Sequence, residues 1–173
     1  MILSESWLRE WVNPDLGSHE LAHRLTMAGL EVDAVTALAE GLSGVVVAEI
    51  VAAQQHPDAD KLKVCSVNTG SDTVQIVCGA PNAEVGLKVP LAQPGAKLPG
   101  GVKIKKAKLR GVESQGMLCS AAELTLSENH DGLLALASNA PVGKGITEYL
   151  DLDDRLIEIG PVSYTRLTPP TTP

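Results

Sequence analysis

The stretch from Lys103 to Ser120 carries the residue types best suited to binding an anion. Its first eight residues, here called the basic segment (103–110), hold five cations, and a mostly uncharged stretch follows. Each cation that neutralises a phosphate releases counterions, so the segment could bind a nucleic-acid backbone. Lysines also protect the edge strand of a sheet from unwanted pairing, which needs no partner. The candidate contacts are Lys103, Lys105, Lys106, Lys108 and Arg110, helped by Lys61.

A second candidate is the run H-P-D-A-D at residues 56–60, whose imidazole and two carboxylates could ligate a hard cation. We favour a strand-ending turn there, because three ligands in one short turn seldom close a cation site. His19 and His23 lie four residues apart, but without a third ligand they are more typical of exposed helix side chains. No P-loop, dinucleotide-binding loop or hydrolase motif is present, so neither a nucleophilic site nor a phosphate-binding loop of a known type is visible. With both candidate cation sites disfavoured as well, we predict no catalytic residue and no metal site.

The first 30 residues predict two short helices. Ser4 or Ser6 is placed to cap a helix that ends before Asn13, and Ser18 to cap a second one. Gly29 stands where a glycine commonly closes a helix.

From Gly41 onward, β-branched runs separated by turn residues replace the helical spacing. The predicted strands are 45–51, 62–67, 73–77, 87–91, 102–109 and 117–119. Short strands at nearly regular intervals predict a mainly β fold built on a small closed barrel or a sandwich. The apolar face shifts between Ile104 and Leu109, as a bend or bulge requires.

Charge is distributed unevenly along the chain. The net charge is −7, yet residues 41–150 hold ten basic and ten acidic side chains, and residues 1–40 hold two basic and seven acidic ones. This argues against a general nucleic-acid coat and for a local contact at most. No aromatic residue lies between Val12 and Glu148, so the barrel has no platform for stacking bases. Any contact must read the shape and phosphates of a folded RNA.

The remaining composition favours a soluble cytoplasmic protein that does not enter a membrane. Its three cysteines form no C-x-x-C pair, which indicates reduced thiols. No uncharged run reaches the ~18 residues of a membrane helix. The acidic N-terminus is unlike a signal peptide.

Several of these motifs resemble a known family. The runs S-E-S-W-L-R-E-W-V-N-P and L-T-M-A-G-L-E-V-D are similar to the N-terminus of bacterial phenylalanine–tRNA ligase beta subunits. The runs V-V-V-A-E-I-V, H-P-D-A-D-K-L, I-V-C-G-A-P-N and K-I-K-K-A-K-L-R-G-V-E-S-Q-G-M-L-C-S resemble their tRNA-binding OB domain. Free-standing tRNA-binding proteins and methionyl-tRNA synthetase appendages share the OB motifs. They lack the first 40 residues, which therefore favour the ligase.

The resemblance implies a domain organisation. It indicates an N-terminal fragment with an α+β segment at 1–40, a five-stranded OB barrel at 41–148 and a return segment at 149–159 that packs on the first. Residues 160–173 depart from the family and hold four of the eleven prolines. We expect that tail to be non-native and disordered.

The resemblance also implies an activity for the whole enzyme. Such beta subunits join alpha subunits in an α2β2 class II synthetase that charges tRNA with phenylalanine, using ATP and Mg²⁺. The catalytic site lies in the alpha subunit, so this fragment would bind tRNA without catalysing a reaction. The alternative is a structural module of the assembly with little direct tRNA contact, and the barrel's zero net charge keeps that alternative open.

Overall fold

The computed structural model describes residues 1–39, 41–128 and 131–160, which fall into two units. One comprises residues 1–38 and 153–160, and the other is Ala39–Leu152. In chain order the elements are β1 (Ile2–Ser4), α1 (Glu5–Trp11), α2 (Ser18–Met27), β2 (Val32–Ala37), β3 (Val45–His56), β4 (Ala59–Asn68), β5 (Thr73–Cys78), β6 (Lys88–Ala92), β7 (Ala107–Leu109), β8 (Val112–Ser114), β9 (Met117–Leu118), α3 (Ile146–Tyr149) and β10 (Arg155–Ile159).

The smaller unit is a three-stranded antiparallel sheet in the order β1-β10-β2, with α1 and α2. Its core consists of Leu21, Ile157 and Ile159. The last residue described, Gly160, donates its amide to the Glu31 carbonyl at 2.9 Å. Residues 161–173, the rest of the tail predicted to be disordered, lie outside the described residues.

Two of the three helix-end predictions are confirmed. The Ser4 hydroxyl accepts the Trp7 amide at 3.0 Å and caps α1, and Gly29 takes a positive φ of 97° just after α2. The prediction for Ser18 is wrong, because Gly17 occupies the cap position. Ser18 is instead held by a network, since its hydroxyl donates to Glu5 Oε1 at 3.0 Å and accepts from Arg155 at 2.9 Å.

Asp154 links the start of α1 to the start of β10. Its carboxylate accepts the Ser4 hydroxyl at 2.6 Å, the Ser6 amide at 2.9 Å and the Arg155 amide at 2.7 Å. Partial burial raises the pKa of this group, but the hydrogen bonds outweigh that effect and hold the pKa below its usual value of 3.8.

We therefore expect Asp154→Asn to destabilise the smaller unit in a pH-dependent way. A depressed folded-state pKa stabilises the fold above the unfolded-state value, and this contribution disappears as pH falls through the folded-state pKa. The melting temperature of the variant should lie below that of the parent at pH 7. The difference should shrink below about pH 4. A difference that stays constant between pH 7 and pH 3 would contradict this assignment.

The larger unit confirms the predicted mainly β, five-stranded OB barrel. Its antiparallel sheet has the order β5-β4-β3-β6-β9, and the twelve-residue β3 pairs with both β4 and β6. Register shifts after Ile50 and Gln55 let this long strand bend. The Gln115 amide donates to the Gln75 carbonyl at 2.9 Å, which joins the last segment back to β5 and closes the barrel.

Alternation along the strands supplies the barrel core. Val45, Val47 and Ile50 of β3 are buried, and Ile146 of α3 packs with the first two. All three cysteines are free. Burial and the neighbouring Cys78 raise the pKa of Cys65 to about 11, and burial and Glu123 raise that of Cys119 to about 12. These thiols are therefore core side chains in their neutral form.

The predicted strand at 102–109 is largely wrong. Pro99–Gly101 form a 3-10 turn, Lys103 makes an isolated bridge with Lys97, and only Ala107–Leu109 form a strand. The chain instead folds back on residues 95–97, because the Ile104 amide donates to the Ala96 carbonyl at 2.9 Å and its carbonyl accepts the Gly95 amide at 2.8 Å.

Candidate nucleic-acid interface

Ile104 sets the direction of the lysines beside it. Its side chain is buried in the barrel core with Ala96 and Leu98. Neighbouring side chains of an extended chain point to opposite sides, so Lys103 and Lys105 must face outward, and both are exposed. The K-I-K pattern thus uses one apolar side chain to fix two cations on the surface.

The second half of the basic segment forms one arm of the β7–β8 hairpin. Lys108 pairs with Glu113, and the connecting residues Arg110 and Gly111 have positive φ values of 47° and 86°. Two positive φ values are typical of a type I′ turn, whose twist matches that of the strands. For Arg110 this conformation costs about 1 kcal/mol. The turn places its guanidinium at the exposed tip of the hairpin.

Side chains and backbone fasten this hairpin to the barrel. The Gln75 amide group donates to the Glu113 carbonyl at 2.8 Å. The Ser114 hydroxyl accepts the Val77 amide at 3.1 Å and donates to the Gly116 carbonyl at 3.0 Å. Lys108 on β7 therefore extends from a supported hairpin rather than from a free loop.

The side chains of the basic segment differ from those of three other lysines of the barrel, which form hydrogen bonds or an ion pair. Lys63 donates to the Ala83 carbonyl at 2.9 Å, Lys88 donates to the Ala140 carbonyl at 2.7 Å, and Lys144 forms an ion pair with Glu148 at 3.1 Å. Among the described residues, no side-chain hydrogen bond or ion pair engages the exposed cations Lys103, Lys105, Lys106, Lys108 and Arg110. Their charges remain available to a ligand.

The structure adds one cation that sequence reasoning missed. Lys97 bridges Lys103 across an antiparallel pair and is exposed, so it belongs to the same surface. Its position six residues before the segment gave no signal, but the glycine-rich turn at 99–101 between them could have indicated a fold-back. Lys61 is exposed on β4, in a different hairpin.

The H-P-D-A-D run forms the turn between β3 and β4, as favoured over the cation site. His56 is 2 % exposed, and both its ring nitrogens have protein partners. Nδ1 accepts the Asp58 amide at 3.1 Å, and Nε2 lies 3.2 Å from the Leu109 carbonyl oxygen. His19 and His23 are exposed on α2. In the parts of the chain that the structure describes, no three His, Cys, Asp or Glu side chains are grouped to hold a metal ion.

The G-A-P-N run also has a structural explanation. The Asn82 side chain donates to the Leu133 carbonyl at 2.9 Å and accepts the Leu133 amide at 2.8 Å. It thereby fixes the segment after β9 beside the end of β5, next to a groove of about 360 Å³ that Cys78 and Met117 help to line.

Comparison with known families identifies this barrel. A family model described as "Putative tRNA binding domain" matches residues 45–145, which extend from the start of β3 almost to α3. The chain belongs to the tRNA-binding domain family. The matched range contains the whole basic segment, Lys97 and the β3–β4 turn.

Relatives with known names confirm the resemblance drawn from the motifs. A phenylalanine–tRNA ligase beta subunit from Pseudomonas putida is 65 % identical over 160 residues, which cover 92 % of this chain and 20 % of the relative. The beta subunit from Pseudomonas savastanoi pv. phaseolicola is 62 % identical over 159 residues, with the same shares. The chain thus spans about a fifth of the length of these relatives.

A solved structure also resembles part of this chain. It is a MetRS related protein from Pyrococcus horikoshii, which is 26 % identical and has a TM-score of 0.46. The match covers 59 % of this chain and 87 % of that one.

Within residues 1–39, 41–128 and 131–160, no helix has the length and apolar character to span a membrane.

Proposed function

We propose that the barrel binds tRNA through Lys97, Lys103, Lys105, Lys106, Lys108 and Arg110, with Lys61 as an outlying contact. The observation that carries this proposal is the contrast between these exposed, unpartnered cations and the engaged Lys63, Lys88 and Lys144. A run of seven cations with no acid extends from residue 85 to residue 112, and includes Lys88. Such a surface suits phosphates, and it carries no sequence information by itself.

The small number of aromatic residues narrows the mode of binding. The tryptophans, Trp7 and Trp11, both lie in the smaller unit, and the barrel's lone aromatic side chain is Tyr149, packed against its core. The barrel therefore offers bases no aromatic surface on which to stack. Recognition rests on lysine, arginine and backbone donors that fit the shape of a folded RNA.

At the level of the whole protein, we infer that the chain is part of a phenylalanine–tRNA ligase beta subunit. The similarity to named beta subunits supports this inference. Such a beta subunit pairs with alpha subunits in an α2β2 enzyme in the cytoplasm. The whole enzyme charges tRNA with phenylalanine, using ATP and Mg²⁺. This chain contributes tRNA binding, and its own described residues supply no step of the reaction.

The alternative, a module that serves assembly, rests on a different observation. Trp7 and Trp11 are 54 % and 75 % exposed on α1, and the described residues of the smaller unit carry nine acidic and three basic side chains. Exposed apolar residues on an acidic unit suit a protein partner rather than RNA.

A titration of the full chain with tRNA at 50 mM and 200 mM salt separates the two roles. If six cations contact phosphates, the affinity should fall by about 10³-fold between these conditions, because each contact releases counterions. Absent or salt-independent binding at 50 mM would contradict the tRNA proposal and leave assembly as the role of the chain.

A further inference from the structure

We propose that His56 is a positioning residue, here called the latch, which holds the β7–β8 hairpin in the orientation in which its cations meet tRNA. The proposal rests on the tRNA-binding role proposed above. It concerns a residue that contacts neither phosphate nor base. It also assigns a purpose to the H-P-D-A-D run beyond that of a turn.

The two contacts of the imidazole ring fix the tautomer of its neutral form. Nδ1 accepts the Asp58 amide, so it cannot carry a proton. In the neutral ring the proton then resides on Nε2, which donates to the Leu109 carbonyl at 3.2 Å. One ring thus closes the β3–β4 turn with one nitrogen and holds the end of β7 with the other.

The position of the second contact explains its consequence. Leu109 is the last residue of β7 and precedes Arg110, the strained residue at the tip of the hairpin. The β8 arm is held to β5 through Gln75 and Ser114. Between Ile104 and the turn, the β7 arm that carries Lys108 has His56 as its side-chain anchor.

The ring that makes this contact is buried, although its partner lies at the surface. His56 is 2 % exposed, whereas Leu109 and Arg110 lie at the surface. A buried ring N–H is costly to leave without an acceptor, so the ring favours the docked hairpin over an undocked one. Holding the cations in place before binding reduces the ordering cost that tRNA binding must overcome.

Two substitutions separate the latch from the turn. His56→Asn keeps an acceptor near the position of Nδ1, and so can still close the turn, but it cannot reach Leu109. His56→Gln places a donor near the position of Nε2 and gives up the acceptor of the turn. Unfolding curves of both variants serve to check that the barrel remains folded.

We expect His56→Asn to weaken tRNA binding by roughly three- to tenfold and to accelerate amide exchange in residues 107–114. The His56→Gln variant should bind tRNA more tightly than the His56→Asn variant, and its amides at 107–114 should exchange more slowly. Equal affinities and equal exchange for the parent and His56→Asn would overturn the proposal. Greater damage by His56→Gln than by His56→Asn would do the same, because the turn would then be the important contact.

The readouts also distinguish the latch from the binding role. Amide exchange without tRNA tests the latch alone, whereas salt-dependent affinity of the parent tests the binding surface. If the parent does not bind tRNA but His56→Asn loosens the hairpin, the latch holds and the tRNA role fails. Nitrogen NMR of the neutral His56 ring in the parent tests the geometry without any variant. The tautomer that carries its proton on Nδ1 has none on Nε2 to donate to Leu109 and would rule the latch out.

Discussion

Replacing Lys105 and Lys106 together by alanine is expected to weaken tRNA binding roughly 10- to 40-fold at 0.1 M salt. Each phosphate contact adds about 0.8 to the slope of log affinity against log salt. Over the tenfold range from 1 M to 0.1 M salt, one contact therefore raises the affinity about sixfold. The slope of log affinity against log salt should fall by about two units or slightly less. Both side chains are exposed and free of hydrogen bonds or ion pairs with other described residues, so the fold should be unaffected.

The matched control removes two charges elsewhere. Arg24 is exposed on α2, and Lys144 pairs with Glu148 at the surface, a contact worth little to stability. Arg24→Ala with Lys144→Ala should change affinity much less and leave the slope nearly intact. The Lys105 and Lys106 variant should weaken all tRNAs alike, because no base-reading side chain is lost. If the two double variants lowered affinity and salt slope equally, the basic segment would not be the tRNA contact. Its lysines would then only protect a strand edge from unwanted pairing.

The strands that sequence alone predicted well are those whose side chains decide burial locally. In β3 the run of valines at 45–47 starts a strand that alternates into the core, and the structure extends it to His56. The helix cap at Ser4 was equally predictable, because a cap acts over three residues. Periodicity and capping express short-range physics that one sequence contains.

What sequence could not supply depends on contacts between distant residues. Serine is a common helix N-cap residue, but the Ser18 side chain is held by hydrogen bonds to Glu5 and Arg155. These residues are 13 and 137 positions away in the sequence. Lys97 joins the basic surface through a bridge to Lys103. The second contact of His56 crosses 53 residues. The basic segment was found from composition, but its geometry depends on Ile104 folding back onto Ala96.

Gly116 in the motif S-Q-G-M-L-C-S is expected to be among the most sensitive glycines of the barrel. Its φ is 144°, and a Cβ at this position would lie 2.6 Å from the Ala92 carbonyl oxygen. Ala92 belongs to β6 and pairs with Met117 of β9, so this backbone cannot retreat without breaking the sheet. Gly116 thus permits the close approach that joins the two strands.

Gly116→Ala should therefore destabilise the chain by about 2–6 kcal/mol, the sum of backbone strain of about 1–3 kcal/mol and overpacking of about 1–3 kcal/mol. Gly100→Ala is the matched control, because Gly100 has a positive φ of 83° but no atom within 4 Å of an added Cβ. It should cost only the backbone strain. Urea unfolding followed by circular dichroism measures both, and it reports on the barrel, where there is no tryptophan to follow. Equal losses of stability in the two variants would mean that the contact with Ala92 is relieved at little cost, and that β6 and β9 are not held as closely as the structure has them.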